Sequence, residues 1–162
     1  MMQAGGWVGS GHGTAYDGGA RWLHTHIGHT VSTNYFRTFI TASPDSKAVS
    51  GIVPSKAGSI ASLQYALLLE QLYAFTSDEV LFEVHVRRNG IAQTDRDHER
   101  ALFFARSHAC LRASPLVKQF GWGLHHDEDG KVAAYGVGTD AYRALATRPD
   151  LKIVAGMRSR RG

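Results

Sequence analysis

The residues best suited to chemistry lie around one hairpin signal in the second half of the chain. Arg112 has a planar guanidinium that suits a carboxylate or phosphate, and Lys118 adds a point charge. Trp122 offers a flat face to a ring or a methylated cation, and His125 can move a proton near neutral pH. These four residues predict a ligand-binding pocket for a small anion. In the alternative interpretation Arg112 pairs with a carboxylate, Trp122 is core and His125 ends a strand.

The same segment does not contain a complete catalytic or metal-binding set. His125 and His126 are adjacent in an expected strand, so their side chains point to opposite faces and cannot easily bind one ion together. We therefore predict no metal and no cofactor. A non-catalytic module that binds a small ligand or a protein is the favoured function, and an enzyme of unrecognised class stays open.

Basic residues at the C-terminus suggest a second alternative. Arg158, Arg160 and Arg161 lie within the last five positions, and removing them from the 18 Lys and Arg residues leaves 15 against 14 acidic ones. Attraction to phosphate would come from this tail, with Lys152 and Lys118 in support, and three charges support only weak, salt-sensitive binding. Weak nucleic-acid binding is the prediction for the tail.

Composition and cysteine content limit the class of protein. A length of 162 residues with 43% hydrophobic content fits one globular domain. Cys110 is the only cysteine, so no disulfide can form within the chain, and no stretch is long and apolar enough for a membrane helix. We expect a soluble, cytoplasmic protein whose oligomeric state the sequence leaves open.

The chain changes character near residue 30. Residues 1–30 hold 8 of the 18 glycines and show no apolar periodicity, which predicts a disordered leader. A single α+β domain is expected over residues 31–157, followed by a basic tail over 158–162. Its predicted elements are a strand at 33–41, helices at 59–73, 77–88, 94–107 and 139–146, a short strand at 110–113, a helical turn at 115–119, a hairpin at 121–135 and a last strand at 151–157.

The sequence signals at 77–88 compete, whereas those at 94–107 indicate a helix with two different faces. Val80, Phe82, Val84 and Val86 alternate as in a strand, but Ser77 as an N-cap and Asn89-Gly90 as a stop favour a helix. In the helix over 94–107, His98, Ala101, Leu102 and Ala105 share the face expected to pack, while Arg96 and Arg100 are expected to face outward.

Asp129-Gly130 is a strong turn signal between the two hairpin strands, with Trp122 and Leu124 expected on one face. The predicted fold is therefore α+β, a small antiparallel sheet packed by three to four helices.

Six blocks of the sequence resemble a known family. They are TNYFRTFI from Thr33, TSDEVLF from Thr76, LRASPL from Leu111, FGWGLH from Phe120, GKVAAY from Gly130 and MRSRR from Met157. In this order they are similar to a small family of uncharacterised, mainly bacterial proteins, a domain of unknown function, over about residues 31–162. The resemblance implies no activity, cofactor or catalytic residue. Family members begin close to the first block, so we expect a natural start near Val31, which intact mass spectrometry of the native protein would test.

Overall fold

A four-stranded sheet organises the part of the chain that the computed structural model describes, residues 31–160. The leader predicted for residues 1–30 and Arg161 lie outside the described residues. The strands are β1 (Thr38–Thr41), β2 (Trp122–His126), β3 (Val132–Gly136) and β4 (Lys152–Ala155). The helices are α1 (Ile60–Glu70), α2 (Ser77–Asn89), α3 (Arg96–Phe104), α4 (Pro115–Lys118) and α5 (Asp140–Ala146). Short 3-10 turns occur at Gln93–Asp95 and Leu111–Ala113.

The strand order is β3-β2-β1-β4. β2 pairs antiparallel with both β3 and β1, and β4 pairs parallel with β1. The α+β class is confirmed, and the sheet is mixed because α5 carries the chain from β3 across to the far edge, where β4 enters in the direction of β3 and β1. No helix in residues 31–160 has the length and apolar character that spanning a bilayer requires.

Each face of the sheet packs against a different set of helices. Ile40, Leu124, Val132 and Ala134 share one face, where they pack with apolar residues of α1, α2 and α4 in the main core. Trp122 packs at the edge of this cluster, so its expected position on the face of Leu124 is confirmed. The other face carries a smaller cluster, formed by Phe39, Leu145 and Leu151 with Tyr135 and Tyr142 against them.

α2 is a helix despite its alternating valines because both of its ends are capped. Thr76, one residue before the predicted cap, accepts a hydrogen bond from the Glu79 backbone, and the Glu79 side chain accepts one from the Thr76 backbone. Gly90 ends the helix in the left-handed conformation, with φ of 59°. Ser77, the predicted cap, is instead the first helical residue, and its buried hydroxyl lies 3.0 Å from Nε2 of His126.

α3 packs with the side opposite to the one its sequence predicts. Arg96 and Arg100 lie over the ring of Phe82 on α2, while Leu102 is 52% exposed and its neighbours on that face are also exposed. The stacked guanidinium groups bring their long stems onto the aromatic ring, and small alanines offer little surface in exchange. The strand predicted at 110–113 is wrong: a 3-10 turn lies there, leading to Ser114, which caps the N-terminus of α4.

Candidate functional site

One end of the sheet gathers residues that are far apart in the sequence. Because β1 runs antiparallel to β2 and parallel to β4, the start of β1, the end of β2 and the start of β4 meet there; Thr38 pairs with both His126 and Lys152. A cleft of about 290 Å³ opens at this end. It is lined by Arg37, His125, Asp127, Glu128, Arg148, Asp150 and Leu151.

His125 is the most enclosed polar group of the cleft, with 7% of its surface exposed. Its Nδ1 lies 2.7 Å from the hydroxyl of Tyr73, and that hydroxyl lies 2.7 Å from the hydroxyl of Tyr135. Within residues 31–160, the one fully buried side-chain nitrogen or oxygen without a hydrogen-bond partner is Nδ1 of His126. Nε2 of His125 also has no hydrogen-bond partner among these residues, but it is not fully buried. It is therefore the ring nitrogen that a molecule in the cleft can contact.

The surroundings of His125 keep its imidazole neutral. Burial lowers the pKa of His125, and the nearby Arg148 lowers it further, against the opposing charges of Asp127 and Asp150. Burial and the hydrogen bond with Tyr135 raise the pKa of Tyr73 above its ordinary value, so the hydroxyl keeps its proton. A neutral imidazole has one N–H donor and one lone pair, and the Tyr73 hydroxyl can donate to Nδ1 or accept a hydrogen bond from it.

The charges around the cleft are mostly paired with one another. Arg37 donates to Glu128 at 3.3 Å, and Arg148 donates to both oxygens of Asp150 at 2.9 and 2.6 Å. Asp127 forms no ion pair among the described residues, and its Oδ1 accepts the backbone N–H groups of Asp129 and Lys131. Three carboxylates against two guanidinium groups leave the cleft one negative charge, centred on Asp127.

Backbone strain is concentrated at the same place. In residues 31–160, the two non-glycine residues with positive φ are Arg37, at 45°, and Tyr73, at 55°. Arg37 is fixed by hydrogen bonds from its N–H to Asp127 and from Lys152 to its carbonyl, and Tyr73 donates its N–H to Val132. Such a conformation costs a residue with a side chain roughly 1–2 kcal/mol and occurs preferentially at functional sites. Both strained residues contact the cleft or its histidine.

Of the four ligand-binding residues predicted from the sequence, His125 lines this cleft. Trp122 lies on the opposite face of β2 and donates Nε1–H to the carbonyl of Ile52. Arg112 donates Nε–H to the carbonyl of Ala155, and Lys118 is the last residue of α4. The neighbouring acidic turn does contribute, through Asp127 and Glu128.

Sequence reasoning missed Arg37, Tyr73 and Arg148 as site residues. Arg37 was predicted only as part of the first strand, Tyr73 only as part of the first helix, and Arg148 lies two residues beyond the predicted last helix. No local motif joins them, because strand register and a loop beside β3 bring them to His125.

The basic tail is attached to the fold through its backbone. Asp45 accepts the N–H of Ser159 at 2.9 Å and that of Arg160 at 3.3 Å with the same oxygen. Arg158 and Lys152 are exposed, and Arg161 lies beyond the described residues. Weak binding of nucleic acid by these side chains stays a prediction.

The fold and the cleft together define a small α+β domain in which the neutral imidazole of His125 lies in a polar cleft at one end of the sheet. The chain belongs to the family of unknown function DUF6157, whose model matches residues 30–162. No curated protein and no solved structure matches the chain.

Proposed function

We propose that this domain binds a small polar molecule in the cleft, with Nε2 of His125 as the central contact. The observation that carries the proposal is that the two nitrogens of the His125 ring have different surroundings. Nδ1 lies 2.7 Å from the hydroxyl of Tyr73, while Nε2 has no hydrogen-bond partner among the described residues, and His125 lines the cleft. Small-molecule sites combine an enclosed surface with a few well-placed polar groups, and a cleft of about 290 Å³ suits a small metabolite.

The charge of the lining favours a protonated amine over the simple anion predicted from Arg112 and Lys118. Each arginine of the cleft already pairs with a carboxylate, so an anionic ligand would bind next to the negative charge of Glu128 or Asp150. Asp127 is the lining carboxylate without an ion pair among residues 31–160, and an amine can pair with it without breaking a contact. The proposed ligand therefore carries an ammonium group for Asp127 and a hydrogen-bonding group for His125.

Thermal unfolding of the full chain with a ligand panel tests this proposal. The panel holds small amines, amino acids, carboxylates and phosphates at one ionic strength, since a ligand that binds only the native state raises the unfolding temperature. We expect members with an amine to stabilise the wild type, by about 2.7 kcal/mol at a concentration of 100 times Kd. Asp127→Asn should abolish the stabilisation, because it removes the charge while keeping Oδ1 as a backbone acceptor.

Lys118→Ala is the matched control, because it removes a charge that lies outside the cleft. It should leave the stabilisation by amines unchanged. Stabilisation by carboxylates or phosphates that Lys118→Ala removes and Asp127→Asn leaves intact would contradict the proposal and support the pocket predicted from the sequence. Absence of stabilisation by any amine would also contradict it.

We also propose that the protein works in the cytoplasm. The support is its one cysteine, Cys110, which is a free thiol. Fractionation of the native host tests this location, and recovery of the protein outside the cytoplasm would exclude it.

A further inference from the structure

We propose that His125 is a catalytic acid–base residue that moves one proton between the cleft ligand and a relay of Tyr73 and Tyr135. This inference rests on the proposed function, since it needs a molecule at Nε2. Its structural basis is the continuous chain from Nδ1 of His125 through the hydroxyl of Tyr73 to that of Tyr135, with both links at 2.7 Å. Tyr135, at the far end of the chain, is half-buried.

The hydrogen bonds of the relay can form in two directions. In the first, Nδ1–H donates to Tyr73, Tyr73 donates to Tyr135, and Nε2 presents a lone pair to the cleft. In the second, Tyr135 donates to Tyr73, Tyr73 donates to Nδ1, and Nε2–H is a donor toward the cleft. The Tyr73 hydroxyl both accepts and donates in each arrangement, and the Tyr135 hydroxyl accepts in the first and donates in the second, because a phenol can do either. The imidazole is neutral in both, so the exchange leaves no charge in a buried group.

Conversion of the first arrangement into the second transfers one proton. The ligand proton goes to Nε2, the Nδ1 proton goes to Tyr73, the Tyr73 proton goes to Tyr135, and the Tyr135 proton goes to solvent water. The electron pair of the broken ligand bond stays on the ligand, which gains one negative charge. The reverse sequence returns a proton from solvent to the ligand.

The charged groups of the cleft indicate the class of substrate. Asp127 pairs with an ammonium group, and Arg148 is the cation beside His125 that can stabilise a developing negative charge. A small amino ketone uses all three groups: the amine at Asp127, the C–H next to the carbonyl at Nε2, and the forming enolate oxygen at Arg148. Removal of that C–H leaves the electron pair delocalised onto the carbonyl oxygen.

The relay can be tested without any ligand, by nitrogen NMR of the His125 ring at neutral pH. We expect the wild type to give intermediate shifts for both nitrogens, as two tautomers in exchange do. Tyr135→Phe removes the acceptor beyond Tyr73, so the Tyr73 hydroxyl must donate to Nδ1 and fix the proton on Nε2. Tyr65→Phe is the control, because Tyr65 packs against Trp122 on the other face of the sheet and should leave the ring unchanged.

One fixed tautomer in the wild type, unchanged by Tyr135→Phe, overturns the relay. This spectroscopic result separates proton exchange from a structural hydrogen bond, because a purely structural Tyr135 would alter stability and leave the tautomer as it was. Comparable folding of both phenylalanine variants is verified by their thermal unfolding.

Proton transfer itself is tested with aminoacetone in D2O and the full chain. We expect deuterium to enter the carbon between the amine and the carbonyl faster than in buffer alone. His125→Gln should reduce the enzymatic rate at least ~100-fold, in the range that general acid–base catalysis contributes. Tyr135→Phe should lower the rate without changing the stabilisation that aminoacetone gives, and Tyr65→Phe should change neither.

The two proposals fail in distinguishable ways. If aminoacetone stabilises the wild type and loses this effect in Asp127→Asn, but exchange is no faster than in buffer, binding stands and proton transfer is wrong. If His125→Gln exchanges as fast as the wild type, His125 is not the catalytic base. If aminoacetone neither stabilises the protein nor exchanges, the amine site and its chemistry are both wrong.

Discussion

Arg37 lies at the rim of the cleft in a conformation that suits glycine better than arginine, with φ of 45°. Its ion pair with Glu128 is exposed on both sides, so the guanidinium adds little to stability. We expect Arg37→Gly to be more stable than Arg37→Ala by about 1 kcal/mol, because both remove the side chain but only glycine relieves the strain. Urea unfolding of the two variants measures the difference.

An ordinary strand position gives the opposite order and serves as the control. Lys152 is an exposed residue of β4 with no positive φ, so Lys152→Gly should be less stable than Lys152→Ala. If alanine is more stable than glycine at position 37, as it should be at position 152, then Arg37 carries no strain. If Arg37→Gly loses a ligand stabilisation that Arg37→Ala keeps, the strained backbone is retained for the cleft and not for the fold.

His126 is the second histidine of β2, and it lies in the main core. Burial, only partly offset by the backbone hydrogen bond at Leu124, lowers the pKa of His126 to about 4. The unfolded chain, with a histidine pKa of about 6.5, therefore binds the proton more readily than the folded one. The stability due to neutral His126 is complete above pH 6.5 and is lost as the pH falls toward 4, by about 1.4 kcal/mol per pH unit.

Urea midpoints between pH 7 and pH 4.5 measure this loss. His126→Gln removes the titrating group, so its free energy of unfolding should fall less steeply with decreasing pH than that of the wild type. His98→Gln, at an exposed position of α3, controls for the removal of a histidine as such. Equal slopes for His126→Gln and the wild type would contradict the assigned pKa.

The sequence predicted the position of a single residue where a local pattern defines the element that carries it. His125 was identified because its hairpin is marked by Asp129-Gly130 and by alternating apolar residues, and the register confirms that it faces away from Leu124. Tyr73 could not be identified in this way, since its role depends on a positive φ and on a loop that runs beside β3. Neither feature leaves a signal in the spacing of neighbouring residues.

At the scale of elements, the caps of α2 outweigh its alternating valines. Thr76→Ala removes the hydroxyl that accepts the Glu79 N–H, and we expect it to lower the free energy of unfolding by about 0.5–2 kcal/mol. Thr94→Ala, at an exposed threonine outside this cap, is the control and should have a smaller effect. An equally small effect of Thr76→Ala, measured by urea unfolding, would show that packing alone holds the helix start.

The helices also show where sequence patterns stop being sufficient. The predicted bounds of α1, α2 and α5 agree with the structure within a few residues, because each helix begins at a side-chain cap, which is a local interaction between neighbours in the chain. The packed side of α3 could not be predicted, because it depends on Phe82 of another helix, over which Arg96 and Arg100 stack. An arginine is read as a surface residue until a partner ring is known.

At the scale of the described molecule, the cleft depends on the thinner of two layers. Arg148, Asp150 and Leu151 form one wall and follow directly on α5, which is anchored to the sheet by Leu145 and the half-buried Tyr142. The other face carries the main core, whose buried residues come from three helices. Regions with few buried contacts open at lower free energy than the core. We therefore expect the wall after α5 to be the part of the cleft that opens first.

Two leucine truncations separate this wall from the rest of the fold. Leu145→Ala and Leu116→Ala remove the same atoms from opposite layers. Each should lower the free energy of unfolding by about 2–5 kcal/mol if both layers unfold together. We expect Leu145→Ala to speed amide hydrogen exchange selectively in residues 140–151 and to weaken stabilisation by amines, because it loosens the wall that carries Arg148 and Asp150. Leu116→Ala should instead lower protection throughout the sheet and leave the affinity of the folded protein for amines unchanged.

Hydrogen exchange followed by mass spectrometry distinguishes the two patterns. Uniform loss of protection in both variants would mean that the layers unfold as one unit and that the cleft has no separately mobile wall.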